Sequence, residues 1–317
     1  MKIRLGYVSL PVTIPKLKFS NITYTSFKKD DIIKKYEKHE KVIQENLKIL
    51  KQILIYNGKN KIHFYRMTSH LFPFLGFDKV LFDYINPYIK QYQEIGTLLK
   101  KYDIRMDIHP DQFVVLNSID SNIANSSIQL LKIQAEILQA IQIENPIIIL
   151  HVGSSKPDKE TAIKRFIQNF NKLPLNVQKM IAIENDDKVF TALDVLSLCK
   201  YLNIPMVLDY HHFLCNNKEE KLDSILNDIF ITWKKTKLNP KIHFSSPKSK
   251  IKKEIRHHHD YIDYLEFKKF LKILKTTNKD VDIMIEAKKK DEALFRLVRN
   301  IKYDMDLTFL DNTTFKL

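Results

Sequence analysis

The chain has 317 residues, 44% of them hydrophobic, with 52 Lys and Arg against 37 Asp and Glu, a net charge of +15 and a pI near 9.4. No apolar run is long enough for a membrane-spanning helix, and two cysteines without CxxC spacing, Cys199 and Cys215, exclude a disulfide framework or cysteine zinc site and suit a reducing, intracellular setting. Five glycines exclude the Gly-rich loops that cradle nucleotides. The positive excess fits a polyanionic partner such as nucleic acid. A lysine-, isoleucine- and asparagine-rich coding bias gives the same excess.

The N-terminus, MKIRLGYVSLPVTIPK, is too interrupted for a signal peptide and predicts a first strand at 2–9. A helical pattern follows at 31–57, then strands at 61–68 and 104–109. Apolar residues three and four apart predict a helix at 127–143. Strands at 146–153 and 180–185, a helix at 190–203, strands at 205–210 and 241–246, a helix at 263–277 and a strand at 282–287 complete the chain. Near-continuous apolar strands alternating with helices mean a parallel sheet in an α/β protein. Eight such units predict a single (β/α)8 TIM-type barrel over residues 1–317, with an open doubly wound sheet as the alternative. A site then belongs at the C-terminal rim of the strands.

The predicted strand ends carry Tyr7; Arg66, Ser69 and His70; His109; His151; Glu184; Asp209 with His211 and His212; His243; and Glu286. Singly, each is explained as a capping or hydrogen-bonded residue. Together, imidazoles and carboxylates on one low-dielectric rim predict divalent cations, which remove the cost of burying them. The donors suffice for two to three ions, an arrangement suited to phosphoryl chemistry. With the positive charge, this points to phosphodiester hydrolysis in nucleic acid. His39, on a charged helix, is expected to be solvated, and His63, inside a strand, to lie in the core. By periodicity alone, Phe113 begins a small buried run, FVVL.

The segments FYRMTS, IHPDQFVVLNS, ILHVGSS, AIENDD, VLDYHH, KIHFSSPK, HHHDYID and DIMIEAKKKDEALFRL occur in that order. They resemble the UV damage endonucleases, a family similar in fold to endonuclease IV. The resemblance implies a cluster of two to three divalent ions, Mn2+ foremost with Zn2+ or Co2+ as alternatives. It also implies hydrolysis of the phosphodiester immediately 5′ to UV photoproducts (pyrimidine dimers and 6-4 photoproducts), leaving 3′-hydroxyl and 5′-phosphate ends. Its motifs carry the metal ligands onto His109, His151, Glu184, Asp209, His212, His243, His258 and Glu286. Glu184, Lys241 and His243 become catalytic, with Glu184 bridging two ions and Lys241 open to carboxylation. Gln112 and Phe113 become a probing pair inserted where damaged bases leave the stack. Tyr7 and Arg66 become lesion contacts, and Lys248 and Lys250 hold phosphates. The implied partner is double-stranded DNA containing UV lesions, with no membrane and no obligate protein partner. The implied location is the cytoplasm, at the nucleoid in a prokaryote.

Three positions depart from the family pattern. Phe113 lacks the usual aromatic hydroxyl, Pro11 replaces a usual asparagine, and Phe77 replaces a histidine ligand for which His70 is the nearest substitute. An abasic-site endonuclease and a sugar isomerase-like barrel are the competing functions.

Overall fold

The apolar runs become strands because β-branched residues suit a pleated surface covered on both faces. In the computed structural model these are β1 (Lys2–Val8), β2 (Phe64–Met67), β3 (Arg105–Ile108), β4 (Ile148–His151), β5 (Ile181–Glu184), β6 (Met206–Asp209), β7 (Lys241–Phe244) and β8 (Val281–Ile285). The structure describes residues 1–29, 31–77, 82–217, 220–249, 251, 253–305 and 307–317. Each strand pairs in parallel with the next, and β1 pairs with both β8 and β2, so the sheet closes into the expected barrel.

Helices on the outside return the chain between strands. Their starts follow local caps. Ser121–Ala140 begins earlier than its apolar stripe suggests because Asp120 accepts the Asn122 N–H. Ala192–Leu202 opens on a capping box formed by Thr191 and Asp194. None of the described helices is long and apolar enough to cross a membrane.

A C-terminal hairpin was not predicted. It consists of β9 (Thr308–Phe309) and β10 (Thr314–Lys316), and β10 runs antiparallel to the first half of β1, with Phe315 opposite Ile3. Its reason is geometric. β2 pairs only with Tyr7 and Val8, so the start of β1 would otherwise present an open edge.

The barrel bore is divided. One part is apolar, with Ile147, Ile149, Ala182, Val207 and Trp233 in one cluster and Val8, Phe64 and Met284 in another. The rest carries charges of alternating sign. Arg4 grips Asp282 with two bonds of 2.7 Å, Arg105 lies 2.9 Å from Asp282 and 3.2 Å from Asp107, and Lys241 lies 3.2 Å from Asp107. Charges this deep persist only when each has a partner.

Two histidines correct the sequence expectations. His39 is not solvated. It is 1% exposed, stacks on Phe82 at 3.4 Å, and donates through Nε2 to the Pro73 carbonyl at 3.0 Å. Its helix, Ile32–Lys59, is charged on one face only, and His39 lies on the other. His63 is half-buried just before β2, with Nδ1 on the Asp103 carbonyl at 2.9 Å and Nε2 3.4 Å from Asp311, because the strand expected from residue 61 starts only at Phe64.

Burial pushes the His39 imidazole down to about 4, against an ordinary 6.5. Between those pH values the unfolded chain holds a proton that the folded chain does not, so stability must rise with pH across the window. Urea midpoints of the metal-free protein should therefore fall as pH drops from 6.5 toward 4. The fall should be shallower in His39→Phe, and an unchanged slope in that variant would contradict this account.

Candidate metal centre

Register brings the site together. His151 on β4 lies opposite Glu184 on β5, and Asp209 on β6 lies opposite His243 on β7. His109 follows β3 directly, Glu286 follows β8, and Arg66 enters from β2. All but Asp209 and His243 line or border one mouth of about 490 Å3, together with His70, Gln112, Phe113 and His212.

Glu184 is the hub. Its carboxylate lies 2.7 Å from His243 Nδ1, 2.9 Å from His109 Nε2, and 3.9 Å from both His151 Nε2 and His212 Nδ1. Glu286 lies 3.1 Å from the same His243 nitrogen, 3.9 Å from His258 Nδ1, and pairs with Arg66. Two triads have ligand atoms close enough to share an ion: His109, His151 and Glu184, and Glu184, Asp209 and His243. Glu184 belongs to both.

The donors fit divalent cations. Asp209 Oδ2, His243 Nε2 and His151 Nδ1 are buried without a hydrogen bond. His109 presents one ring nitrogen to the Pro110 carbonyl at 2.9 Å and the other to Glu184. Both oxygens only accept, and a neutral imidazole can donate to only one of them. A cation between His109 and Glu184 resolves the conflict. Nitrogen and oxygen donors without thiolates suit manganese, zinc or cobalt.

The electrostatics show the strain of the bare donor set. Burial would raise the Glu184 carboxyl, but His243, His109 and His151 override it and hold it well below its ordinary range. Asp209 moves the other way. Burial and the charges of Glu184 and Glu286 push it well above its ordinary value, despite His212. Burial lowers His243 to about 4, whereas Asp209 and Glu184 overcome burial to raise His212 to about 9.

Other predicted residues are placed as follows. His212 stands on the short helix Tyr210–Cys215 and donates Nδ1–H to the Asn185 carbonyl at 3.0 Å, leaving Nε2 free. Of the three adjacent histidines, His258 faces the site, while His257 and His259 are exposed. His70 lines the mouth but joins neither triad, and Phe77 turns away to pack edge-on against Tyr24. Phe113 is 79% exposed and Gln112 is exposed beside it, so the expectation of a buried FVVL run fails at its first residue. The segment after His109 forms a turn instead of continuing the strand, and Pro110 has no N–H to extend the ladder.

Tyr7 does not reach the mouth. Alternation along β1 turns it toward the outer core, where it is buried and donates to Asn57 at 2.8 Å. Lys241 lies one layer below the cage, fully buried against Asp107. Burial, with Arg66 and Arg105, lowers its amine to about 8 against the pull of Asp107. Lys248 pairs with Glu254 at the surface, and Lys250 lies outside the described residues.

Sequence reasoning missed Asn185 and Asp107. Asn185 clamps Asp209 through both backbone groups, at 2.9 and 3.0 Å. Its position next to Glu184 was the available signal. For Asp107 the signal was the period of two, which sets it on the face of His109 as Lys241 is set on the face of His243.

A closed parallel barrel with imidazoles and carboxylates gathered at the C-terminal rim defines a TIM barrel with a candidate metal-binding cluster. The UV-endonuclease UvdE family profile matches residues 3–312. A UV DNA damage endonuclease of Bacillus cereus (strain B4264) is 41% identical over 303 residues, covering 94% of each chain. One from Bacillus anthracis is 38% identical over 306 residues, covering 95% of each. The solved structure of SacUVDE aligns with a TM-score of 0.84 at 33% identity, covering 95% of this chain and 98% of the other. Endonuclease IV from Thermus thermophilus shares the fold, with a TM-score of 0.59 at 13% identity over 95% and 100% of the two chains. The chain belongs to the UV-endonuclease UvdE family and is an endonuclease.

Because Glu184 serves both triads, Glu184→Gln should lower the manganese retained after dialysis by at least about one equivalent per chain, measured by elemental analysis. His39→Phe should retain the full amount. Equal retention in both variants would remove Glu184 from the metal site.

Proposed function

We propose that this endonuclease nicks double-stranded DNA immediately 5′ to UV photoproducts, leaving 3′-hydroxyl and 5′-phosphate ends. The observation that carries this is Phe113. An aromatic side chain 79% exposed, on the wall of the metal mouth and four residues beyond His109, forfeits burial that a core phenylalanine would gain. Inserted into a duplex, it regains that burial by stacking on bases. Gln112 beside it offers an amide to an orphaned base edge. Lesions with weakened stacking cost least to open, so they favour insertion.

His109, His151 and Glu184 would hold one ion, and Glu184, Asp209 and His243 a second. His212, His258 and Glu286 complete the cage and can serve a third. Mn2+ is the ion proposed, with Zn2+ and Co2+ compatible with the same donors. When bound, such ions supply Lewis acidity to the phosphate and acidify water. Asn185 keeps the Asp209 backbone and the His212 ring in place. Arg66 holds Glu286 and offers its remaining N–H groups to a backbone phosphate entering the mouth. Lys248, at the surface beside Glu254, would turn to a backbone phosphate of the duplex. With a net charge of +15, affinity should fall steeply with added salt.

The test compares three duplexes: one with a cyclobutane pyrimidine dimer, one with an abasic site and one undamaged. Nicking on the 5′ side of the dimer is expected, with loss on chelation and a drop of about tenfold or more for Phe113→Ala. Cleavage of the abasic duplex alone would replace this function with an abasic-site activity. Absence of duplex binding at low salt would favour a small-molecule barrel enzyme.

A further inference from the structure

Four residues beyond Glu286 lies a strained lysine. Lys290 adopts a left-handed backbone, with a φ of 45°. Glycine, asparagine and aspartate populate that region, and a longer side chain is strained there. Lys290 also opens the helix Lys290–Asp304, directly after Lys288 and Lys289, where positive charge opposes the helix dipole. The turn is nonetheless held on both sides. The Lys288 and Lys289 N–H groups donate to the His259 and Asp260 carbonyls at 3.1 Å each, which ties the turn to the segment carrying His258. Asp291, fully buried, accepts the Val12 N–H and the Tyr56 hydroxyl at 2.7 Å each, and the Thr13 hydroxyl as well.

The side chain held this way has no anion of its own. Lys290 is half-buried, and among the described residues its ammonium makes no hydrogen bond and no ion pair. Burial and the Arg66 charge lower its amine while Glu286 raises it, so the ammonium lies within reach of both groups. Arg66 and Glu286 both line the metal mouth, and they pair with each other. Glu286 also serves His243 at 3.1 Å. An ion held by Glu286 would leave Arg66 and Lys290 as two cations beside the mouth with no carboxylate free to answer them. We infer that Lys290 is a substrate-binding residue, held by the left-handed turn so that its ammonium takes a backbone phosphate of the DNA beside Arg66. A phosphate oxygen there gives the ammonium a charge-assisted hydrogen bond that the protein alone does not supply. This explains why a strained position carries a long cation instead of glycine or asparagine. The inference rests on the reading of the mouth as a DNA site proposed above.

The test uses the full chain loaded with Mn2+ and a duplex carrying a cyclobutane pyrimidine dimer. Affinity is measured over a salt series beside nicking kinetics. Lys290→Asn removes the charge and suits the left-handed backbone, Lys290→Gln removes the charge and keeps most of the length, and Lys290→Arg keeps the charge. Both neutral variants should retain as much manganese as the wild type. Their duplex affinity should fall about tenfold at low salt, and the slope of log affinity against log salt should flatten by about one. The loss should appear in KM more than in kcat, because a phosphate contact binds ground state and transition state alike. Lys290→Arg should recover the slope and come within about threefold of wild-type affinity. If one neutral variant fails to fold by circular dichroism, the other carries the same measurement. An unchanged salt slope in the neutral variants would overturn the inference. So would loss of manganese, or an arginine variant as weak as the neutral ones, because the role of Lys290 would then be structural. A wild type that binds no duplex at low salt would sink the DNA reading of the mouth itself, whereas wild-type binding with unaltered variants sinks only the phosphate contact.

Discussion

A carboxylate buried in a protein needs compensation, and Glu184 is compensated from four directions. Four imidazoles from different parts of the chain lie within 3.9 Å of its oxygens. Such a set is stable as bare protein only through compromise. One histidine faces two acceptors, one aspartate keeps an orphaned oxygen, and neighbouring acids shift in opposite directions. Cations shared through Glu184, as proposed, would resolve these conflicts together, because they would give the lone pairs partners and neutralise the acids.

The barrel beneath has an unusual task. A TIM barrel ordinarily fills its bore with layers of branched apolar side chains. Here the β4–β6 side does so, while β1, β3, β7 and β8 contribute Arg4, Arg105, Asp107, Lys241 and Asp282. Ion pairs in a dry bore add little net stability, since desolvation offsets the attraction. Their advantage over apolar layers is direction. A hydrophobic contact tolerates sliding, whereas a buried ion pair fixes both ends.

The surface around the mouth follows a different rule. Gln112 and Phe113 stand exposed, on a loop tied to the turn after β2 by the 2.8 Å bond between Ser69 and Asp111. The loop is anchored at its base and open at its tip. That combination suits the proposed entry of the tip into a duplex without displacing His109, from which the loop departs.

Most of the architecture was legible in the chain. Strands and helices alternate, and apolar runs ending in His, Asp or Glu place those side chains at the barrel rim, because a closed parallel sheet aligns all its strand ends on one side. The ordered motifs carried the family. Period-two alternation could also have revealed Tyr7 facing outward and Asp107 facing inward, but only once the strand boundaries were known to a single residue. The rest required the folded chain. Whether His39 met solvent depended on Phe82, Pro73 and Tyr84 folding over it. Whether Phe113 was buried depended on the chain turning at Pro110 and not continuing as a strand. The sequence by itself determined which side chains could reach the rim, since that follows from local periodicity. Only the tertiary structure decided which of them share Glu184 and which do not, because contacts across a barrel join residues far apart in the chain whose pairing is set by closure and register.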